Sequence, residues 1–445
     1  MPASRLRRFS ALIGSLIGSL IGAAGAIALL LLSPWWLLLA ALLLLGLWTL
    51  LTRVGRQAWS VTEVGLATIP QRLGASSVVV VGIAGVVAVL VALLAMAAGF
   101  EATLKQGGSD DTAIVMRAGA QTEINSVLNH DSANLVAQAP QVLRDAQGQP
   151  IASAELVLVA SLPKKSSGLD ANVELRGIGE RAWSLRPNVR IIDGRKFGPG
   201  LREMIVGKGA RQQFSGLDIG STLKLNGQTW TVVGAFDSDD AHDSELWADT
   251  DVVAATYRRG SSTAAVTVRL TGADAFDAFK AGLASDPRLT VDAKTTRGYY
   301  TDQSAALSKL IRVLGITIAS IMAIGAVFGA LNTMYAAVAT RSREIATLRA
   351  IGFRALPVIF SVLLETMLLA LLGGALGAAL SWVIFNHYTV STLGQNFTQV
   401  VFAFQVSPAL LWTGLKWALA IGLIGGLFPA LRAARLPVTA GLREL

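Results

Sequence analysis

The sequence has 445 residues, of which 53% are hydrophobic and 15% charged, and it contains no cysteine. That charge fraction is well below the roughly 25% of soluble domains, and the missing thiols exclude disulfides, thiol catalysis and cysteine-type zinc sites. The net charge of +9 is unevenly placed: residues 1–9, 52–77, 339–357 and 431–445 hold thirteen arginines against three acids, whereas residues 99–309 hold 23 basic and 25 acidic side chains.

Arginines flanking apolar runs are what positive-inside sorting expects. Nucleic-acid binding, the competing reading of a basic chain, fails because the polar region carries no basic excess.

Six apolar runs come close to the roughly 20 helical residues that cross a bilayer: 10–32, 35–52, 76–98, 307–339, 357–386 and 408–430. A single helix over 10–52 would be about 65 Å long, and Ser33-Pro34-Trp35-Trp36 interrupts it. Proline breaks the helix, and tryptophan favours the membrane interface. Residues 1–54 therefore read as a transmembrane hairpin whose ends, with Arg5, Arg7, Arg8, Arg53 and Arg56, are cytoplasmic. The competing reading, a cleaved signal peptide, is disfavoured because the apolar run continues past Ala23–Ala26 into Ile27–Leu32. Gly14, Gly18 and Gly22 recur every four residues, a close-packing face for a partner or for the hairpin itself.

Residues 55–98 read as a cytoplasmic amphipathic segment and a first core span, and 99–306 as an extracytoplasmic α/β domain of two lobes with a break near 185–260. Strand character occurs at Thr112–Arg117, Glu155–Ala160, Asn172–Arg176 and Val189–Ile192. Asn226-Gly227 inside Leu223–Val233 signals a hairpin with a type I′ turn. Val266–Leu270, Ala273–Leu283 and Leu289–Ala293 form a strand–helix–strand unit, half of a ferredoxin-like fold.

His130, His242 and His387 are far apart, and no HExxH, GxSxG or GxxxxGK[ST] motif occurs, so catalytic and metal residues are expected to be none. The acids between Asp237 and Asp251 lack the glycine and terminal glutamate of a calcium loop, which favours a solvated loop.

Residues 307–445 contain three spans, a short external loop at 387–407 and, between the first two spans, a short polar segment, Arg341-Ser-Arg-Glu-Ile-Ala-Thr-Leu-Arg-Ala-Ile-Gly-Phe353. On a helical wheel Ile345, Leu348, Ile351 and Gly352 share one arc with Glu344, opposite Arg343, Thr347, Ala350 and Arg354. This predicts a short amphipathic cytoplasmic helix capped by Gly352, and from composition alone it could simply lie on the lipid surface. Glu365 is the one acid within a span; burial in a helix–helix contact or near the interface is favoured over a proton relay. Asn332, Gly325 and Gly329 read as packing features.

Residues 343–352 resemble the coupling segment of MacB/FtsX/LolC-type ABC transporter permeases, the mechanotransmission class. Leu364-Glu365-Thr366 with Leu372-Gly373-Gly374-Ala-Leu-Gly377 is similar to that family's third helix. Phe428-Pro429-Ala430-Leu-Arg432-Ala433-Ala434-Arg435-Leu-Pro437 with Leu442-Arg443 is similar to its tail, and Gln71–Glu101 to its first helix. The resemblance covers about 55–445; the N-terminal hairpin departs from the usual four-helix pattern.

It implies an α-helical membrane protein with a four-helix core and a two-lobed α/β periplasmic domain, in the bacterial inner membrane. It implies no cofactor on this chain, with ATP and Mg on a partner ATPase. Implied partners are two copies of a cytoplasmic ABC ATPase and a second permease copy, in a homo- or heterodimer, with a periplasmic membrane-fusion protein as a further candidate. It implies an ATPase-coupling helix carrying Arg341, Arg343, Glu344, Ile345, Leu348, Arg349, Ile351, Gly352 and Phe353. The expected role is to couple an ATPase to movement of the periplasmic domain in export or extraction. Two alternatives stand beside it: an FtsX-like regulator of a cell-wall partner, and an ion-driven transporter, which would need more intramembrane charges.

Overall fold

A computed structural model describes residues 33–67, 73–394 and 396–435. The chain divides into two compact units, residues 1–95, 312–386 and 406–445 in the first and 96–311 and 387–405 in the second.

The first unit is helical. Among the described residues four helices are long and apolar enough to cross a membrane: Leu73–Gln106 (α3), Thr296–Thr340 (α9), Ala355–Phe385 (α11) and Pro408–Arg435 (α12). At 45 residues, α9 is about 68 Å long, more than twice a hydrocarbon core. The first half of the expected hairpin, with Gly14, Gly18 and Gly22, lies outside the described residues, as do Pro437, Leu442 and Arg443. Its second half is the 17-residue helix Trp35–Leu51 (α1). Thr52 then turns the chain, its Oγ1 accepting from Gly55 N–H at 2.9 Å to cap Arg53–Ala67 (α2). In α2, Ala58, Val61 and Thr62 are buried at helical spacing, while Arg53, Arg56 and Trp59 face outward. The buried side packs on α11, and Trp48 of α1 stacks tilted against Phe360 at 5.0 Å.

Glycines let α11 approach its neighbours. A Cβ on Gly373 would lie 2.8 Å from the Val80 carbonyl oxygen of α3, and one on Gly374 would lie 2.7 Å from the Ala418 Cβ of α12. Gly377 meets the Ala84 carbonyl still more closely. Overpacking such contacts costs about 1–3 kcal/mol, so Gly374→Leu is expected to lower the detergent melting temperature by several degrees, whereas Gly46→Leu, in open space, should leave it unchanged. Gly325 and Gly329 have open space around them, so among the described residues they pack against no neighbour.

The second unit contains two lobes. The first is a ferredoxin-like βαββαβ: Thr112–Arg117 (β1), His130–Ala137 (α4), Ala152–Pro163 (β2), Ala265–Arg269 (β9), Phe276–Ser285 (α8) and Val291–Thr295 (β10). Its strands run in the antiparallel order β10-β1-β9-β2. The core holds Val115, Val136, Val266, Val268, Phe279 and Leu283.

The second lobe is inserted between β2 and β9. The break is therefore not at 185–260, because β2 serves both lobes: Ala152–Glu155 pair with β9 and Leu156–Pro163 with Asp170–Ile178 (β3). Beyond β3, Glu245–Asp249 (β8) pairs in parallel, then Glu203–Gly207 (β5) antiparallel, then Gln228–Asp237 (β7) in parallel, with Arg190–Gly194 (β4) at the edge. Thr222–Leu225 (β6) and β7 form the expected hairpin, with Asn226 at φ 45° and Gly227 at φ 77°, the left-handed pair that a type I′ turn requires. Trp230, Leu175, Val206 and Leu246 fill the core.

The segment expected to be a loop at 387–407 instead contains two antiparallel strands, Thr389–Leu393 (β11) and Gln399–Ala403 (β12). Both strands are rich in β-branched residues, Thr389, Val390 and Thr392 in one and Val400 and Val401 in the other, which favour a pleated pairing. The hairpin packs on the second lobe, where Val401 N–H donates to Ser244 Oγ at 2.8 Å and Lys164 Nζ to Gln399 Oε1 at 3.2 Å, and on the end of α3, where Phe402 meets Phe100 edge-on at 5.4 Å.

Candidate functional site

In the helical unit, Ser342–Ala350 (α10) follows α9 after one non-helical residue, Arg341. It ends in a Schellman motif: Phe353 N–H donates to Leu348 O, Gly352 N–H donates to Arg349 O, and Gly352 has φ 109°. The predicted cap is thus in place.

Ile345 is buried with Met334 and Val338 of α9, Val358 and Val362 of α11, and Ala430 and Ala433 of α12. Two polar contacts hold the ends of α10: Arg341 Nη1 lies 3.2 Å from Glu365 Oε2, and Arg349 Nη1 donates to Ala434 O at 2.8 Å. The Glu365 side chain is 6% exposed, so its desolvation is offset by a charge partner. Arg341 also meets Glu344 at 3.3 Å.

The expected apolar arc is split. Ile345 and Ala346 are buried and Leu348 half-buried, but Ile351 is 72% exposed because the helix ends before it. Arg343, Glu344, Thr347 and Ala350 are exposed. An open groove of about 370 Å³ runs beside them, lined by Val61, Ile345, Leu348, Val358 and Val362. Asn332 is exposed on α9.

The second unit holds a buried ionic centre that sequence reading missed. Arg176 of β3 is gripped by Glu123 (2.7 Å), Glu155 (3.0 Å), Glu174 (2.9 Å) and Glu245 (2.8 Å). These acids come from a turn, β2, β3 and β8, so the centre ties both lobes together. Arg186 adds a bidentate pair to Glu155 at 2.6 and 2.7 Å. Trp247 Nε1 donates to Glu245 at 2.6 Å, and Glu123 N–H donates to the Tyr299 hydroxyl at 3.2 Å. Tyr300 and His242 Nε2 are 3.1 Å apart, and His242 Nδ1 is 2.8 Å from Asp240.

Four carboxylates around one guanidinium cannot share an environment. Burial would raise Glu155, but the adjacent Arg186 and Arg176 outweigh it and hold it down at about 2. Burial and the Glu245 charge push Glu174 up to about 8 despite Arg176. Burial lowers His242, but Asp240 and Glu245 reverse this and raise it.

The acidic run is not a solvated loop. Asp240, Asp243 and Glu245 are buried, Lys208 Nζ reaches Asp239 at 3.1 Å and Asp243 at 3.3 Å, and Asp249 caps the helix Thr250–Thr256. Asp237, Asp239, Asp240, Asp243, Glu245 and Asp249 thus have local structural uses, while Asp251 is exposed. The signal that could have revealed the centre is Val173-Glu174-Leu175-Arg176, where charges alternate with apolar residues along a strand with both faces covered.

Residues 316–438 match the family model FtsX-like permease C-terminal, and residues 76–285 match MacB-like periplasmic core domain. The macrolide export ATP-binding/permease protein MacB 2 of Yersinia pestis bv. Antiqua is 34% identical over 145 residues, 32% of this chain and 19% of that protein. MacB of Burkholderia pseudomallei is 23% identical over 305 residues, 64% of this chain and 45% of that protein. The chain thus spans less than half the length of these relatives. Among solved structures, the periplasmic region of MacB from Actinobacillus actinomycetemcomitans aligns at 13% identity and TM-score 0.33, over 43% of this chain and 91% of that one. The extracellular domain of the ABC-type transporter YknZ from Gram-positive bacteria aligns at 17% and 0.32, over 41% and 100%.

Proposed function

We propose, from a chain that joins a MacB-like periplasmic core domain to an FtsX-like permease C-terminal region and so belongs with the MacB/FtsX-type permeases, that it is the membrane subunit through which a separate cytoplasmic ABC ATPase moves an extracytoplasmic domain. The observation that carries this reading is α10, which is clamped into the helical unit by Ile345, Arg341–Glu365 and Arg349–Ala434 while Arg343, Glu344, Thr347 and the adjoining groove stay open.

A clamped helix moves its neighbours when pushed, because packed interiors transmit strain rather than absorb it. ATP and Mg belong to the partner, two copies of which would serve two permease copies in the bacterial inner membrane. The exposed α9 face of Ile321, Ile324, Gly325, Phe328 and Asn332 suits the second copy, since small residues and a polar side chain favour helix association in lipid. Work done on the extracytoplasmic unit would drive export or extraction of a substrate there, with a membrane-fusion protein as a further candidate partner.

The test is purification of the full chain from its native membrane in mild detergent. Recovery of an ATPase in one-to-one ratio, with mass for two copies of each, is expected. Recovery of a dimer with no ATPase contradicts the reading.

A further inference from the structure

We propose that Glu174 and the β11–β12 hairpin form a proton-operated latch, in which the neutral carboxyl holds the hairpin on the second lobe and the carboxylate releases it.

Asn396 Nδ2 lies 3.1 Å and Thr398 Oγ1 3.5 Å from Glu174 Oε2, while Oε1 accepts from Arg176 Nη2 at 2.9 Å. Among the described residues the buried Asn396 Oδ1 has no hydrogen-bond partner. An amide can present either end, so Asn396 can donate to a carboxylate or, once turned over, accept the proton of a carboxyl group. A cavity of about 40 Å³ lies beside Glu174, lined also by Glu123, Arg176, Glu245, Tyr300 and Asn396. That is room for water, and hence for proton exchange.

The charges facing Glu174 decide the direction. From β8 comes Glu245, from the 123–125 turn Glu123, from its own strand Arg176, and from the hairpin only the neutral Asn396 and Thr398. Arg176 is already shared with three other carboxylates. A charge on Glu174 is therefore in excess, and burial with Glu245 raises it to about 8 against the pull of Arg176.

Removing the hairpin would admit water and return Glu174 toward its ordinary range near 4.5. A group whose value is higher in the docked state takes up protons on docking. Docking is then strongest at acid pH and weakens as pH rises toward 8, by up to about tenfold per unit. His242, faced by Asp240, Glu245, Arg186 and Tyr300, lies in the 241–244 turn that packs on β12, and a fall that survives in Glu174→Gln would belong to it.

Amide hydrogen exchange of the full chain in nanodiscs between pH 6 and 9 tests this, reading residues 398–404 after correction for intrinsic exchange. Val401 N–H reports docking through its bond to Ser244. Protection is expected to fall by about tenfold or more across this range in the native protein and to stay flat in Glu174→Gln. A flat profile in the native protein, or an unchanged fall in Glu174→Gln, overturns the latch. Should Glu174→Gln not fold, Glu245→Gln decides: removing the neighbouring charge that raises Glu174 is expected to move the midpoint downward, and an unchanged midpoint overturns the proposal.

Discussion

Arg176→Met is expected to unfold the extracytoplasmic unit at neutral pH. The guanidinium is buried and lies 2.7–3.0 Å from carboxyl oxygens of Glu123, Glu155, Glu174 and Glu245. Removing it strands the surrounding negative charge in an interior that cannot hydrate it, at a cost of about 3–5 kcal/mol, comparable with the whole stability of many domains. Limited proteolysis of residues 96–311 is the direct readout. Arg176→Lys keeps the charge but loses both bidentate forks, so it should fall between the two. A proteolysis profile for Arg176→Met like that of the native protein would show that the centre is not structurally important.

The same centre sets a pH profile for the native protein. Glu155 is held down at about 2 because Arg186 and Arg176 outweigh burial, so its contribution is present above the unfolded range and is lost as pH falls toward 2. Glu174 works in the opposite sense. Raised by burial and Glu245, it favours the fold at acid pH, and that contribution fades as pH climbs from about 4.5 to about 8. Stability of this unit should therefore decline on both sides of a mildly acidic optimum.

Leu348→Asp is expected to abolish recovery of the ATPase. Leu348 lines the open groove between α10, α2 and α11, and a charge placed in a desolvated contact typically costs 2 kcal/mol or more, about a thirtyfold loss of affinity. Glu365→Leu should act differently. It removes the buried partner of Arg341 without touching the exposed residues of α10, so the ATPase should still bind while substrate no longer stimulates hydrolysis. Finding that both variants couple normally would exclude α10 as the transmitting element.

Much of the membrane part was legible in the sequence, because apolar length and arginine placement are one-dimensional signals. The spans expected at 76–98, 357–386 and 408–430 are helices at 73–106, 355–385 and 408–435. The α10 cap at Gly352 and the Asn226-Gly227 turn were readable for the same reason, since each depends on a residue that tolerates a positive φ.

What escaped was the part made by distant pairing. The ferredoxin-like lobe is closed by β1 and β10, whose partners lie more than 170 residues apart. Arg176 meets Glu155 through the β2–β3 pairing, Glu245 through the β3–β8 pairing and Glu123 from the turn after β1, at separations of 21, 69 and 53 residues. Ile351 leaves the apolar arc because α10 ends at Ala350, and beyond the cap the 100° step of a helical wheel no longer applies.

Coupling through α10 requires that α10 and the α/β unit face opposite compartments. The absence of cysteine makes single labels clean: Thr347→Cys on α10 and Ala278→Cys on α8, both exposed positions. In intact cells with a permeable outer barrier, a membrane-impermeant maleimide is expected to modify Ala278→Cys and to reach Thr347→Cys only after the inner membrane is opened. Modification of both before the membrane is opened would place lever and load on one side and contradict the account.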